Sequence, residues 1–198
     1  MQIIYVHGLH SNANSVKGNQ LRDYCAAHYP EIAVHSPDLN HKPEQVLHIL
    51  RDFIAQDEKT VLVGSSLGGF FSTLLHNELG VKAVLLNPST QPHETLLRFF
   101  PENWRNLPDD FVANDEKATT WQMTMGDLRW FERHKPTTFR QPEKLFVLLE
   151  TGDELLDYRL AAQYYGEQGT KMWISEGGDH RMTGFVEKLP QVFEFILA

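Results

Sequence analysis

The chain has 198 residues, with 18 basic against 26 acidic side chains and a formal charge of −8. At about 150 residues per domain this length predicts one domain, and 41% hydrophobic with 11% aromatic residues excludes a disordered chain. The acidic excess argues against a face that tracks nucleic-acid phosphates, and no apolar run approaches the ~20 residues of a membrane helix.

The opening Met1-Gln2-Ile3-Ile4-Tyr5-Val6 carries no basic n-region, so no secretory signal is expected there. Cys25 is the single cysteine and has no partner for an intramolecular disulfide, which fits a reducing cytoplasm. Its helical spacing with Leu21, Tyr24 and His28 reads as a small buried hydrophobe rather than a catalytic thiol. The ten histidines include no His-Glu-x-x-His pair and there is no cysteine pair, so neither a metal nor an organic cofactor is implied.

Strands and helices alternate along the chain. Gln2–Val6 reads as a strand stopped at Gly8. A helix over 16–29 ends at Pro30, which cannot donate the next backbone bond. A short strand follows at 32–35, then a helix over 44–55 with Val46, Leu47, Leu50 and Phe53 on one side. Residues 60–63 form a third strand running into Gly64, and Leu67–Leu79 a helix closed by Gly80. The remaining strands are 81–86, Leu145–Glu150 and 171–174, and the last helices are 155–165 and 184–197. Apolar runs such as Ala83-Val84-Leu85-Leu86 suit strands buried on both faces. With right-handed crossovers, this pattern predicts a three-layer α/β sandwich around a mostly parallel six-stranded sheet.

One region breaks the alternation. Residues 89–142 are too long for one crossover and carry three of the four Trp, so they read as a functional insertion, a helical cap or lid. Trp104, Trp121 and Trp130 are its candidate substrate-contacting residues, against the plainer reading that they only pack the cap onto the sheet. Arg129, Arg133, Lys135 and Arg140 at its end read as a solvated basic face, the sharper alternative being a seat for an anionic leaving group.

Gly64-Ser65-Ser66-Leu67-Gly68-Gly69 sits between a strand and a helix, the context that a nucleophile elbow requires. The turn lifts a serine hydroxyl above the sheet edge, and the residues two before and two after it must be small. Ser66 has Gly64 and Gly68 at those positions, whereas Ser65 would have Val63 and Leu67; Ser66 is the candidate nucleophile. A phosphate loop is excluded, because no Lys follows the glycines.

A serine nucleophile needs a base, and the base needs a group to hold its tautomer. Thr151-Gly152-Asp153-Glu154 follows one late strand, and Gly177-Gly178-Asp179-His180 follows the next. Both loops emerge at the strand ends where Ser66 emerges, in the order acid then histidine. Asp153 and His180 are the candidates; Asp157 and Glu154 remain as alternative acids. Asp179 reads as a loop-shaping residue, and His76 lies about three helical turns from Ser66, too far to serve as base. The oxyanion hole calls for two amides. Leu67 after the nucleophile and Leu9 after the first strand are the candidates, with His7 bracing the loop.

Taken together with Val6-His7-Gly8-Leu9-His10-Ser11 and Asn87-Pro88-Ser89, these segments make the chain resemble the small YqiA-type bacterial esterases of the α/β-hydrolase superfamily. The resemblance spans nearly the whole chain and is weakest across 98–140. It implies the triad Ser66, Asp153 and His180, strand order 2-1-3-4-5-6, and short acyl esters, or acyl thioesters, as substrates. Asp179 stands where such relatives often carry Asn. The expectation is a cytoplasmic serine esterase acting on a small-molecule acyl ester. Thioester hydrolysis or acyl transfer on the same fold is the alternative, and a non-catalytic binding protein a more distant one. The residues do not specify the oligomeric state.

Overall fold

A computed structural model describes all residues, 1–198. Its centre is one six-stranded sheet with strand order 2-1-3-4-5-6. The strands are β1 (Gln2–Val6), β2 (Ala33–His35), β3 (Thr60–Ser65), β4 (Lys82–Leu86), β5 (Leu145–Glu150) and β6 (Lys171–Ser175). Every pairing is parallel, so the sheet is wholly rather than mostly parallel. The helices are α1 (Val16–His28), α2 (Pro43–Ile54), α3 (Leu67–Leu79), α4 (Pro92–Thr95), α5 (Met125–His134), α6 (Tyr158–Gly166) and α7 (Phe185–Leu197). No helix is long and apolar enough to cross a membrane.

The central strands β1, β3 and β5 are buried along their whole length, because alternate side chains enter two separate apolar layers. Ile4, Val6, Leu62, Leu85 and Val147 face the layer containing α2, α3 and α5. Ile3, Tyr5, Val61, Val63, Val84 and Leu148 face the layer containing α1 and α7. Parallel pairing places all the carboxyl ends on one edge, so the loops after β1, β3, β4, β5 and β6 converge there.

Two boundaries differ instructively from the apolar pattern. The sixth helix begins at Tyr158, not at 155, because Asp153 Oδ1 accepts from the amides of Leu155 and Leu156 and holds a turn. Asp157 then caps the helix by accepting from Arg159 N. β3 runs two residues past Val63 through Gly64 and Ser65, both still paired to β4.

Residues 89–142 hold α4, α5 and short 3₁₀ turns at Leu96–Phe99 and Trp104–Asn106. Between these the chain is irregular and joined by a single antiparallel bridge, Val112 to Thr124. Thr124 and Asp127 form a capping box that starts α5. This helix buries Leu128, Trp130 and Phe131, with the Phe131 ring edge-on to Phe70 of α3 at 5.4 Å.

Candidate active site

β3 passes into α3 through a single residue, Ser66, held at φ 53 and ψ −118. Positive φ is costly for a side chain with a Cβ, and the surroundings fix it there. Ser66 N donates to Leu86 O at 3.0 Å, and Ser66 O accepts from Gly69 N at 2.9 Å and Ser89 N at 3.0 Å. The flanking glycines are required by contact. A Cβ on Gly68 would lie 2.0 Å from Val6 O, and one on Gly64 would lie 2.3 Å from Ser72 Oγ. Gly69 is equally constrained, since its Cβ would meet Pro88 Cβ at 2.6 Å.

His180 reaches this turn from the loop after β6. Its Nε2 lies 3.0 Å from Ser66 Oγ, and its Nδ1 lies 2.8 and 2.9 Å from the two carboxylate oxygens of Asp153. A carboxylate only accepts, so Nδ1 carries the proton and Nε2 is left to accept from the serine hydroxyl. The Asp153 side chain is 2% exposed, so water does not compete for it. Of the three acids considered, Asp153 alone contacts the imidazole. Glu154 Oε2 instead accepts from His180 N at 2.9 Å, and Asp157 pairs with Arg159 at 2.8 Å.

The histidine loop is closely packed and heavily tied. Gly177 and Gly178 have φ near +70°, and a Cβ on Gly178 would lie 2.1 Å from Glu150 Oε2. Glu150, buried at the end of β5, accepts from Asp179 N at 2.8 Å and pairs with Lys188 at 3.3 Å. Asn87 at the end of β4 donates to Asp179 O at 3.0 Å and accepts from Glu150 N at 2.9 Å. The carboxylate of Asp179 accepts from Thr183 N and Oγ1, and these bonds hold it below the usual carboxylate range. Asn87, Glu150 and Lys188 are supporting residues that motif reasoning missed. For Asn87 and Glu150 the signal was a polar side chain closing an otherwise apolar strand, which in a buried position must have a partner; Lys188, on α7, carried no such signal.

The loop after β1 abuts the serine. A Cβ on Gly8 would lie 3.1 Å from Ser66 Cβ and 3.7 Å from its Oγ. Leu9 N makes no hydrogen bond within the chain, and Leu67 N belongs to the first turn of α3, which has no intrahelical acceptor. His7 accepts from Leu39 N at 2.9 Å through Nε2 and faces Gly8 O through Nδ1. Burial pushes its pKa down, so it braces the loop as a neutral ring.

The three tryptophans of 89–142 do not share one cavity. Trp104 lines a cleft of about 570 Å³ together with His93, Leu97, Met125, Leu128 and Arg129. Trp121 donates from Nε1 to Asp127 at 3.2 Å. Trp130 is 6% exposed and stacks on His134 at 4.0 Å. Arg129 is engaged by Asp109 and by Leu107 O.

The fold has counterparts. A protein from Xanthomonas campestris assigned to the α/β hydrolase superfamily superposes with a TM-score of 0.63 at 17% identity, covering 99% of this chain and 96% of its own. Est1E from Butyrivibrio proteoclasticus, solved with ferulic acid bound, superposes with a TM-score of 0.74 at 15% identity, over 99% of this chain and 88% of its own. The fold is therefore that of the α/β hydrolases. In sequence, the UPF0227 protein YcfP of Salmonella gallinarum is 24% identical over 181 residues, 88% of this chain and 87% of its own. The model of the uncharacterised protein family UPF0227 matches residues 2–197, and the chain belongs to that family.

Proposed function

We propose that the protein is a serine hydrolase cleaving small carboxylic esters through an acyl-enzyme. The observation that carries this is the unbroken contact from Ser66 Oγ to His180 Nε2 at 3.0 Å and from His180 Nδ1 to Asp153 at 2.8 Å, on a turn strained at φ 53.

Ser66 Oγ attacks the ester carbonyl while His180 Nε2 takes its proton. Asp153 holds the imidazole tautomer and stabilises the imidazolium. The tetrahedral oxyanion takes hydrogen bonds from the amides of Leu9 and Leu67. Its collapse expels the alcohol, which leaves with the proton from His180. Water, deprotonated by the same nitrogen, then attacks the acyl-enzyme and frees the carboxylic acid and Ser66. Residues 89–142 act as a cap over this edge and supply apolar contacts to the acyl group, with Trp104 beside a cleft in the insertion. The single buried cysteine supports a cytoplasmic working place.

The test is labelling with a fluorophosphonate probe beside turnover of a short acyl ester. Wild type should label once per chain, and Ser66→Ala should neither label nor turn over. An unlabelled, inactive wild type that is folded would overturn the reading.

A further inference from the structure

The loop that carries the Leu9 amide does not hold itself in place. His10, the next residue, sits in the left-handed region at φ 58, where only glycine, asparagine and a few others rest easily. Its ring points away from the sheet edge into residues 89–142. There, Nε2 donates to Asp115 Oδ2 at 2.7 Å, and the ring stands edge-on to Phe99 with centroids 5.9 Å apart. The two partners are 105 positions apart in sequence, so this contact is purely tertiary.

Asp115 is an unusual partner for a loop histidine. Its side chain is only 5% exposed, and a carboxylate so enclosed needs compensation. Asp115 Oδ1 accepts from Lys117 N, and its carbonyl from Ala118 N; a further backbone bond joins Asn114 N to Phe99 O at 2.8 Å. The carboxylate is thus fixed on a rigid turn before it meets His10. A second tie runs parallel to the first. Thr120 Oγ1 donates to Asn40 O at 2.9 Å, and Asn40 Nδ2 donates to Ser11 O at 2.9 Å. Residues 10 and 11 are both anchored, one directly and one through Asn40, to the segment 115–120. Two residues earlier, Gly8 is packed against Ser66. Leu9 lies between these two fixed points.

We propose that His10 and Asp115 are positioning residues that hold the Leu9 amide on the oxyanion, so that the insertion takes part in transition-state stabilisation as well as covering the site. This rests on the serine-hydrolase reading above. An oxyanion donor works only if it is aimed in advance at the place where charge develops. A loop anchored by His7 alone on its near side would leave Leu9 free to swing on its far side.

Two variants on different segments test this. His10→Asn keeps a residue tolerant of the left-handed backbone but is too short to reach the carboxylate; Asp115→Ala removes the anchor from the other side. Activity is expressed per site titrated with the fluorophosphonate, so a misfolded fraction does not count. Each variant should lower kcat about 10- to 100-fold, somewhat less than deletion of an oxyanion donor, with KM within about threefold. The affinity of an alkylboronic acid, which mimics the tetrahedral state, should fall in parallel with kcat/KM. The double variant should be no worse than the worse single one, and Asp115→Glu should recover part of the loss. Unchanged kcat per titrated site in both singles, additive losses in the double, or a loss confined to KM would overturn the proposal. A wild type that neither labels nor turns over would instead overturn the serine-hydrolase reading itself.

Discussion

The sheet edge and the insertion above it are built by different means. At the edge, each candidate reactive group sits just after a strand: Ser66 after β3, Asp153 after β5 and His180 after β6. Its position follows from parallel register and from glycines that admit no Cβ. In the insertion, ten residues of α5 and a capping box are the longest regular structure. The rest is held by contacts between residues far apart in sequence, such as His10 with Asp115. The first kind of construction tolerates little change. The second rests on individual tertiary contacts, each of which a single substitution can break.

The largest expected effects belong to the edge. Ser66→Ala should lower kcat by about 10⁵-fold or more, whereas Ser65→Ala, one residue earlier and on β3, should keep most activity. Equal losses in a steady-state ester assay would mean that the elbow register is wrong. Asp153→Asn should cost about 10⁴ in kcat by favouring the wrong imidazole tautomer. Asp157→Asn should be far milder, since Asp157 caps α6 and pairs with Arg159. A reversed order would transfer the orienting role to Asp157.

The same division governs what could be read from sequence alone. α3 and β5 run between the residues that their apolar patterns indicated, because a glycine or a proline punctuates each end. Sheet order was expected only from the family resemblance, whereas the strand–turn–helix around Ser66 was legible because it rests on a local backbone requirement written as Gly, Ser and a short apolar run. The true start of α6 was not, because Asp153 and Asp157 compete for the backbone with side-chain hydrogen bonds that periodicity does not register. The roles of Asn87 and Glu150 were missed because their partners lie 29 or more positions away and no motif joins them. The fates of the tryptophans were illegible too, since composition cannot separate an indole in a core from one beside a cleft.

That separation gives the next test, of intermediate size. Trp130→Ala empties a buried site against His134 and Phe131 and should destabilise the protein by about 3–5 kcal/mol, read by urea unfolding. Trp104→Ala should cost little stability, because Trp104 is only partly buried and its ring faces Arg105 at 4.3 Å. It should instead shift the preferred acyl length in a series of esters from two to twelve carbons, where each methylene is worth about 1–3 kcal/mol. A Trp104→Ala enzyme with the parental length profile would exclude the 570 Å³ cleft as the acyl site.

The smallest effect returns to the edge and concerns charge. Lys17 of α1 reaches over to donate to Arg181 O, just beyond His180. Burial pushes its ammonium down to about 8, despite the opposing pull of Asp179 and Glu150 and with a small further push from Arg181. An ammonium with a folded pKa below its unfolded value of 10.5 is a cost while charged in both states. Below pH 8 that cost is present in full. Between about 8 and 10.5 the folded chain has released the proton while the unfolded chain still binds it, so stability rises with pH. Lys17→Met removes this titration and leaves that of Cys25, itself pushed up to about 11 by burial, common to both proteins. The difference in melting temperature, wild type minus Lys17→Met, should therefore climb by several degrees across pH 8 to 10.5 and be flat between pH 6 and 7.5. A difference that stays flat throughout would mean that Lys17 is solvated rather than buried, and that the histidine loop is held by Glu150, Glu154 and Asn87 without it.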